Sequence, residues 1–139
     1  IFENKNDMSS NRKASIRNVF TAYLLEDYTD DQSIRCQIGP CILTISKTNI
    51  VESQPVQLEL RSEDVLLATT NPQGLSAENV LPGTVQAINA ENGKMYVDVD
   101  CGIPITASVT PRMASELGLG QETAVWVIIK STAFFQTDI

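Results

Sequence analysis

Apolar and polar residues alternate with a period of two along most of this chain, and that pattern leaves little room for anything but β-sheet. Val56, Leu58 and Leu60 alternate with Gln57, Glu59 and Arg61, and Met95, Val97 and Val99 alternate with Tyr96 and Asp98. Ile34, Cys36 and Ile38 repeat the pattern until Gly39-Pro40 breaks it, after which residues 41–45 resume it. Further strands are expected from Val19 onward, at residues 84–89, through Ile103, Ile105, Ala107 and Val109, and over Val125, Val127 and Ile129. Asn92-Gly93 stands between two of these runs. That pair marks a tight hairpin, because both central residues of such a turn need positive φ. One short helix is expected near 111–118. Thr110 offers an N-cap hydroxyl, Pro111 suits the first helical position, and Gly118 suits the left-handed residue that ends a helix. The fold class is therefore all-β, with short strands closing into small barrels or a sandwich.

The 139 residues allow one ordinary domain or two very small ones. Hydrophobic residues at 42% and charged ones at 19% support a real core, and no apolar run nears the roughly 18 residues of a membrane helix. Ten Lys and Arg against 17 Asp and Glu leave a net charge of −7 with no basic patch, which disfavours a nucleic-acid partner. The absence of histidine removes His-based triads, His general bases and His-containing zinc sites. Cys36, Cys41 and Cys101 form no C-x-x-C pair and read as reduced, buried, small apolar residues, with a Cys36–Cys41 disulfide as the alternative. Nothing here pairs a nucleophile with a base, so the chain is not expected to be an enzyme, and no cofactor is expected.

The chain also repeats itself. Residues 15–20, Ser-Ile-Arg-Asn-Val-Phe, resemble residues 76–81, Ser-Ala-Glu-Asn-Val-Leu, 61 positions later. Residues 56–62 resemble residues 125–131, 69 positions later, and the extra length matches the helix near 111–118. Each half is then expected to be one small five-stranded barrel of about 60 residues, and barrels that small rarely stand alone. The division falls into residues 1–72, with a polar entry segment at 3–14, and residues 73–139.

The second half carries a specific order of words: Leu75-Ser76-Ala77-Glu78-Asn79-Val80-Leu81-Pro82-Gly83, then Val109-Thr110, Ser115, Leu117-Gly118-Leu119, and Val125-Trp126-Val127-Ile128-Ile129-Lys130-Ser131. This closely resembles the molybdate-binding Mop domain, also called TOBE, an OB-like β-barrel. Upstream, Leu60-Arg61-Ser62-Glu63-Asp64-Val65-Leu66-Leu67-Ala68 resembles the segment that precedes this domain in ATPase subunits of molybdate and tungstate ABC importers. The resemblance implies tandem barrels acting as a regulatory domain, which senses a tetrahedral oxyanion at a dimer interface and modulates transport. Its implied partners are a second copy, the nucleotide-binding domain of the same chain and the membrane permease subunits, at the cytoplasmic side of the membrane. The sequence G-x-x-x-x-G-K-[ST] does not occur, so these residues carry no phosphate-cradling loop of that kind. Starting at Ile1 rather than Met fits a piece of something longer.

A molybdate or tungstate dianion leaving water must meet several N–H and O–H donors and preferably a cation. Carried over by position, the resemblance assigns this work to Ser76, Asn79, Thr110, Ser115, Lys130 and Ser131. One residue departs from the pattern. The family motif reads Ser-x-Arg-Asn, and Glu78 stands where the arginine would be. At about 5 Å and an effective dielectric near 20, the lost attraction and the new repulsion are each worth about 3 kcal/mol before screening. Either the site is dead, or Glu78 points away, or another cation compensates. Arg17 is the candidate, since Ser15-Ile16-Arg17-Asn18 keeps the family order and Arg61-Ser62 matches Lys130-Ser131. Simpler roles stand beside these: Asn18 and Asn79 as turn caps, Thr110 as a helix cap, Lys130 as a solvated strand end. Asp27, Asp30 and Asp31 read as a solvated loop. The same domain without anion binding would be a dimerisation scaffold, and a free-standing oxyanion-binding protein is the remaining alternative.

Overall fold

The computed structural model describes residues 16–29, 32–51 and 54–137. The polar entry segment 3–14, Ser15, Asp30, Asp31 and the Asp27 side chain lie outside the described residues. Ten strands form: β1 (Arg17–Thr29), β2 (Ser33–Ile38), β3 (Cys41–Ser46), β4 (Val56–Arg61), β5 (Leu66–Ala68), β6 (Asn79–Glu91), β7 (Lys94–Asp100), β8 (Pro104–Val109), β9 (Ala124–Ile129) and β10 (Phe134–Gln136). The single α-helix among the described residues, α1 (Pro111–Glu116), joins β8 to β9. Thr110 caps it by accepting the Met113 N–H, Pro111 opens it, and Gly118 follows it at φ 64°. Asn92 and Gly93 turn the β6–β7 hairpin at φ 53° and 78°, both positive as a two-residue turn requires. No helix among the described residues is long and apolar enough to cross a membrane.

The strands make two antiparallel five-stranded sheets, ordered β10-β4-β1-β2-β3 and β5-β9-β6-β7-β8. The two orders correspond strand for strand, with β1 to β5 repeated as β6 to β10, so the repeat in the sequence is a repeat in space. Each sheet takes its first strand from the other half of the sequence. After β4, a 3-10 turn at Ser62–Asp64 carries the chain onto the second sheet, where Leu66 faces Ile128 of β9. After β9, a 3-10 turn at Ser131–Ala133 carries it back, and Phe134 faces Leu60 of β4. Separate barrels each made from one half were expected; the two curled sheets instead exchange a strand. β5 and β10 have three residues each, too short for a period-two signal.

β1 and β6 are long because each changes partner midway. β6 pairs with β9 from Asn79 to Thr84 and with β7 from Thr84 to Glu91. Pro82, which would break a central strand, lies where β6 has a ladder on one side only, so its missing N–H leaves no gap. The alternation at 84–89 captured only the second part of this strand. Gly83 is fixed by close approach: a Cβ there would meet Val99 Cγ1 at 2.7 Å and both Asp100 O and Cys101 Cβ at 3.1 Å. Gly83→Ala is expected to cost about 1–3 kcal/mol by overpacking. Thermal unfolding of the variant checks this, with a fall in Tm of several degrees expected.

One continuous core joins the sheets. Phe20, Leu43, Ile45, Leu58, Leu60 and Phe134 of the first sheet and Val85, Val97, Ile105, Val127 and Ile129 of the second belong to a single buried cluster. Arg17, Val19, Thr21 and Tyr23 of β1 face outward and are exposed. The sheets therefore fold as one unit, and the two ends where the 3-10 turns cross over are held in fixed relation.

Candidate functional site

Asn18 and Asn79, the repeated asparagines of the sequence motif, are buried joints. Asn79 Oδ1 accepts the Thr44 N–H at 2.8 Å, and its Nδ2 donates to Thr44 O at 2.9 Å and Ile129 O at 3.1 Å. Asn18 does the same in mirror image: Oδ1 accepts the Thr106 N–H at 2.8 Å, and Nδ2 donates to Thr106 O at 3.0 Å and Leu60 O at 3.2 Å. Each side chain thus ties its own sheet to an edge strand of the other. Both side-chain amide hydrogens of each are used, so neither side chain has an N–H left for a ligand.

Beside Asn79, the chain brings Glu78, Lys130 and Ser131 together. Glu78 does not point away: its Oε1 accepts the Ser131 N–H at 2.8 Å. That bond, with the Ser131 hydroxyl and the nearby Lys130 charge adding to it, holds the Glu78 carboxyl below its ordinary range despite partial desolvation. Ser76, two residues upstream, is exposed.

The equivalent end beside Asn18 is built differently. Arg17 stands where Glu78 stands, and its Nη1 lies 3.0 Å from both carboxylate oxygens of Glu59. The guanidinium remains half exposed, so this pair is worth at most about 1 kcal/mol. The side chain of Arg61, which faces Arg17 across the ladder, has no hydrogen bond or ion pair among the described residues. The Ser62 N–H donates to Ile16 O at 3.0 Å, while the Ser62 hydroxyl is buried with no partner among the described residues. A buried hydroxyl left so costs about 1–3 kcal/mol. Arg61 and Lys130 line one cleft of about 300 Å³ together with Asp64, and its apolar wall is Leu66, Ile128 and Phe135.

Thr110 and Ser115 are elsewhere. The Thr110 hydroxyl accepts the Met113 N–H at 3.2 Å, and Thr110 lines a cleft of about 220 Å³ with Glu63, Leu67 and Leu117. Ser115 is exposed on α1. The turn carrying Ser62 packs on β8, which leads to Thr110, whereas the turn carrying Ser131 packs on β3. Within one chain, then, Thr110 and Ser115 do not share a cleft with Lys130. A larger cleft of about 480 Å³ is lined by Arg17 together with Asp98 and Asp100, whose charge opposes an oxyanion deep in it. The sequence motif named Arg61-Ser62 only as counterparts of Lys130-Ser131. Their difference in hydrogen bonding depends on Glu78 and is visible only in space.

The cysteines are all free, and the described residues contain no cluster of His, Cys, Asp and Glu suited to a metal. Burial pushes the Cys36 and Cys101 thiols up to about 11, and burial with the nearby Asp100 raises Cys41 as well. Cys41 is the least buried. Under a thiol-reactive dye at pH 8, one cysteine should label first, Cys41, and the other two only on unfolding; a Cys41→Ser variant that still labels rapidly would contradict this.

Comparison with known proteins places these features in a family. The TOBE domain model matches residues 75–135. The molybdenum import ATP-binding protein ModC of Rhizobium etli is 33% identical over 117 residues, covering 79% of this chain and 33% of that protein. ModC of Mesorhizobium japonicum is 42% identical over 84 residues, covering 58% of this chain and 22% of that protein. The chain thus spans a third or less of the curated relatives it matches. A crystal structure of the cytoplasmic molybdate-binding protein ModG with molybdate bound superposes with a TM-score of 0.70 at 26% identity, covering 89% of this chain and 97% of that one. Residues 75–135 are thus a TOBE domain, and the chain matches the C-terminal region of ModC molybdenum import ATP-binding proteins.

Proposed function

We propose that this chain is the regulatory domain of an ABC importer ATPase subunit and that it senses a tetrahedral oxyanion, molybdate or tungstate, where two copies pair. The observation that carries this reading is the end formed by Arg17, Arg61 and Ser62. There, among the described residues, a buried hydroxyl lacks an acceptor and the Arg61 side chain lacks a partner, a combination that a dianion satisfies in one step. The likeness to ModC proteins and to molybdate-bound ModG supports the same ligand class. Ser76, Thr110 and Ser115, all exposed in one chain, are available to complete a site across the pair. The repeat boundary at 72/73, a homodimer, an attached nucleotide-binding domain, permease contacts and a place at the cytoplasmic side of the membrane belong to this reading.

The ligand acts through differential affinity. An anion held by groups from two copies stabilises the arrangement that brings those groups together and shifts the attached ATPase halves toward it, by no more than its preference for that arrangement. Titration calorimetry with molybdate, tungstate, sulfate and phosphate tests the reading. Micromolar or tighter binding of the first two, with weak or no heat from the others, is expected. A folded, dimeric protein that binds none of the four would leave the second reading, a dimerisation scaffold, which Glu78 beside Lys130 and Ser131 favours.

A further inference from the structure

Arg17 and Glu78 occupy equivalent places, each one residue before a buried asparagine joint. Around Glu78 the serine has a carboxylate: the Ser131 N–H reaches Oε1 at 2.8 Å, and the Ser131 hydroxyl and the Lys130 charge help keep that carboxylate ionised. Around Arg17 the carboxylate is that of Glu59, which pairs with the guanidinium and not with Ser62. An arginine has no lone pair to offer, so the Ser62 N–H turns to Ile16 O and the Ser62 hydroxyl has no partner among the described residues. The same backbone thus puts a carboxylate on the serine at one end, whereas at the other Glu59 pairs with Arg17 and no carboxylate reaches Ser62.

We propose that Glu78 is the resident anion of the second end. Its carboxylate takes the Ser131 donors and the Lys130 charge that an oxyanion would use, and it repels a second anion there. Each chain then offers one loadable seat, at Arg17, Arg61 and Ser62, where the repeat would otherwise supply two. This inference rests on the oxyanion reading above and fixes its stoichiometry and the half of the chain that does the binding. It also makes Glu78 the residue that decides how many anions the domain holds.

The test counts tungstate bound per chain by calorimetry and equilibrium dialysis, in the unaltered chain, Glu78→Ala, Arg61→Ala and the double variant, with circular dichroism confirming folding. The expected counts are one for the unaltered chain and two for Glu78→Ala. Arg61→Ala should bind at least about tenfold more weakly, and the double variant should keep one tight seat. Should Glu78→Ala fail to fold, Glu78→Arg, which copies the Arg17 end, should also bind two. Two anions in the unaltered chain, or one in folded Glu78→Ala and Glu78→Arg, overturn the resident-anion proposal and leave the oxyanion reading standing. None in the unaltered chain but one in Glu78→Ala upholds the resident anion and removes the Arg17 seat. No binding in any folded variant removes the oxyanion reading, and this inference with it.

Discussion

Asn79→Ala should lower the stability of this chain by about 3 kcal/mol or more, a large share of the roughly 5–15 kcal/mol that domains of this size possess. The substitution removes three hydrogen bonds at once, to Thr44 N, Thr44 O and Ile129 O, and leaves those groups at a buried junction. Thr44 belongs to the first sheet and Ile129 to the second, so the loss falls on the joint between them. Asn79→Asp separates hydrogen bonding from volume. An aspartate keeps the shape and the acceptor for Thr44 N, but it loses both N–H donors and faces two carbonyl oxygens with a negative charge. It should be at least as damaging as alanine near pH 7. Urea unfolding of the two variants measures this, and a loss below about 1 kcal/mol for both would show that the asparagine is not a structural joint.

Phe134→Ala should cost about 3–5 kcal/mol, the range for deleting a buried phenylalanine. Phe134 is 0% exposed, and it is the first residue of β10, the strand that returns from the second half to pair with β4. Its ring fixes the exchanged strand in the shared core. The neighbouring Phe135 supplies the control, since it is 44% exposed on the opposite face of the same strand. Phe135→Ala should change stability by only a fraction of the Phe134→Ala effect. Equal losses at the two positions would mean that β10 does not pack as described.

The contrast between these two phenylalanines also shows what the sequence could reveal and what it could not. β4 and β7 are found where alternation places them, because a half-buried strand cannot avoid a period of two. The Asn92-Gly93 hairpin and the capped helix after Thr110 were equally legible, since both depend on neighbouring residues alone. The strand exchange was not, since a three-residue strand has no period and its pairing is decided by the 3-10 turn before it. Nor was the full length of β6, because Pro82 reads as a breaker until the strand is seen to change partners beyond it.

For the candidate site, order along the chain identified Lys130, Ser131 and the repeat that links them to Arg61 and Ser62. It also isolated Glu78 as the residue out of pattern and left three outcomes open for it. The geometry excludes one, since Glu78 faces Ser131. It also turns Arg17 toward Glu59. The role of the asparagines was hidden for a physical reason. Their partners are backbone groups of Thr44 and Thr106, and a backbone acceptor leaves no mark on residue type.

The most direct check on an oxyanion seat at Arg17, Arg61 and Ser62 is a crystal grown with tungstate, with data collected at a tungsten absorption edge. The expected anomalous map has one strong peak per chain, within hydrogen-bonding reach of the Arg61 guanidinium and the Ser62 hydroxyl, and the Glu78–Ser131 bond is intact. A peak against Ser131 with Glu78 turned out, or no ordered tungsten in a crystal of the paired protein, would contradict that placement.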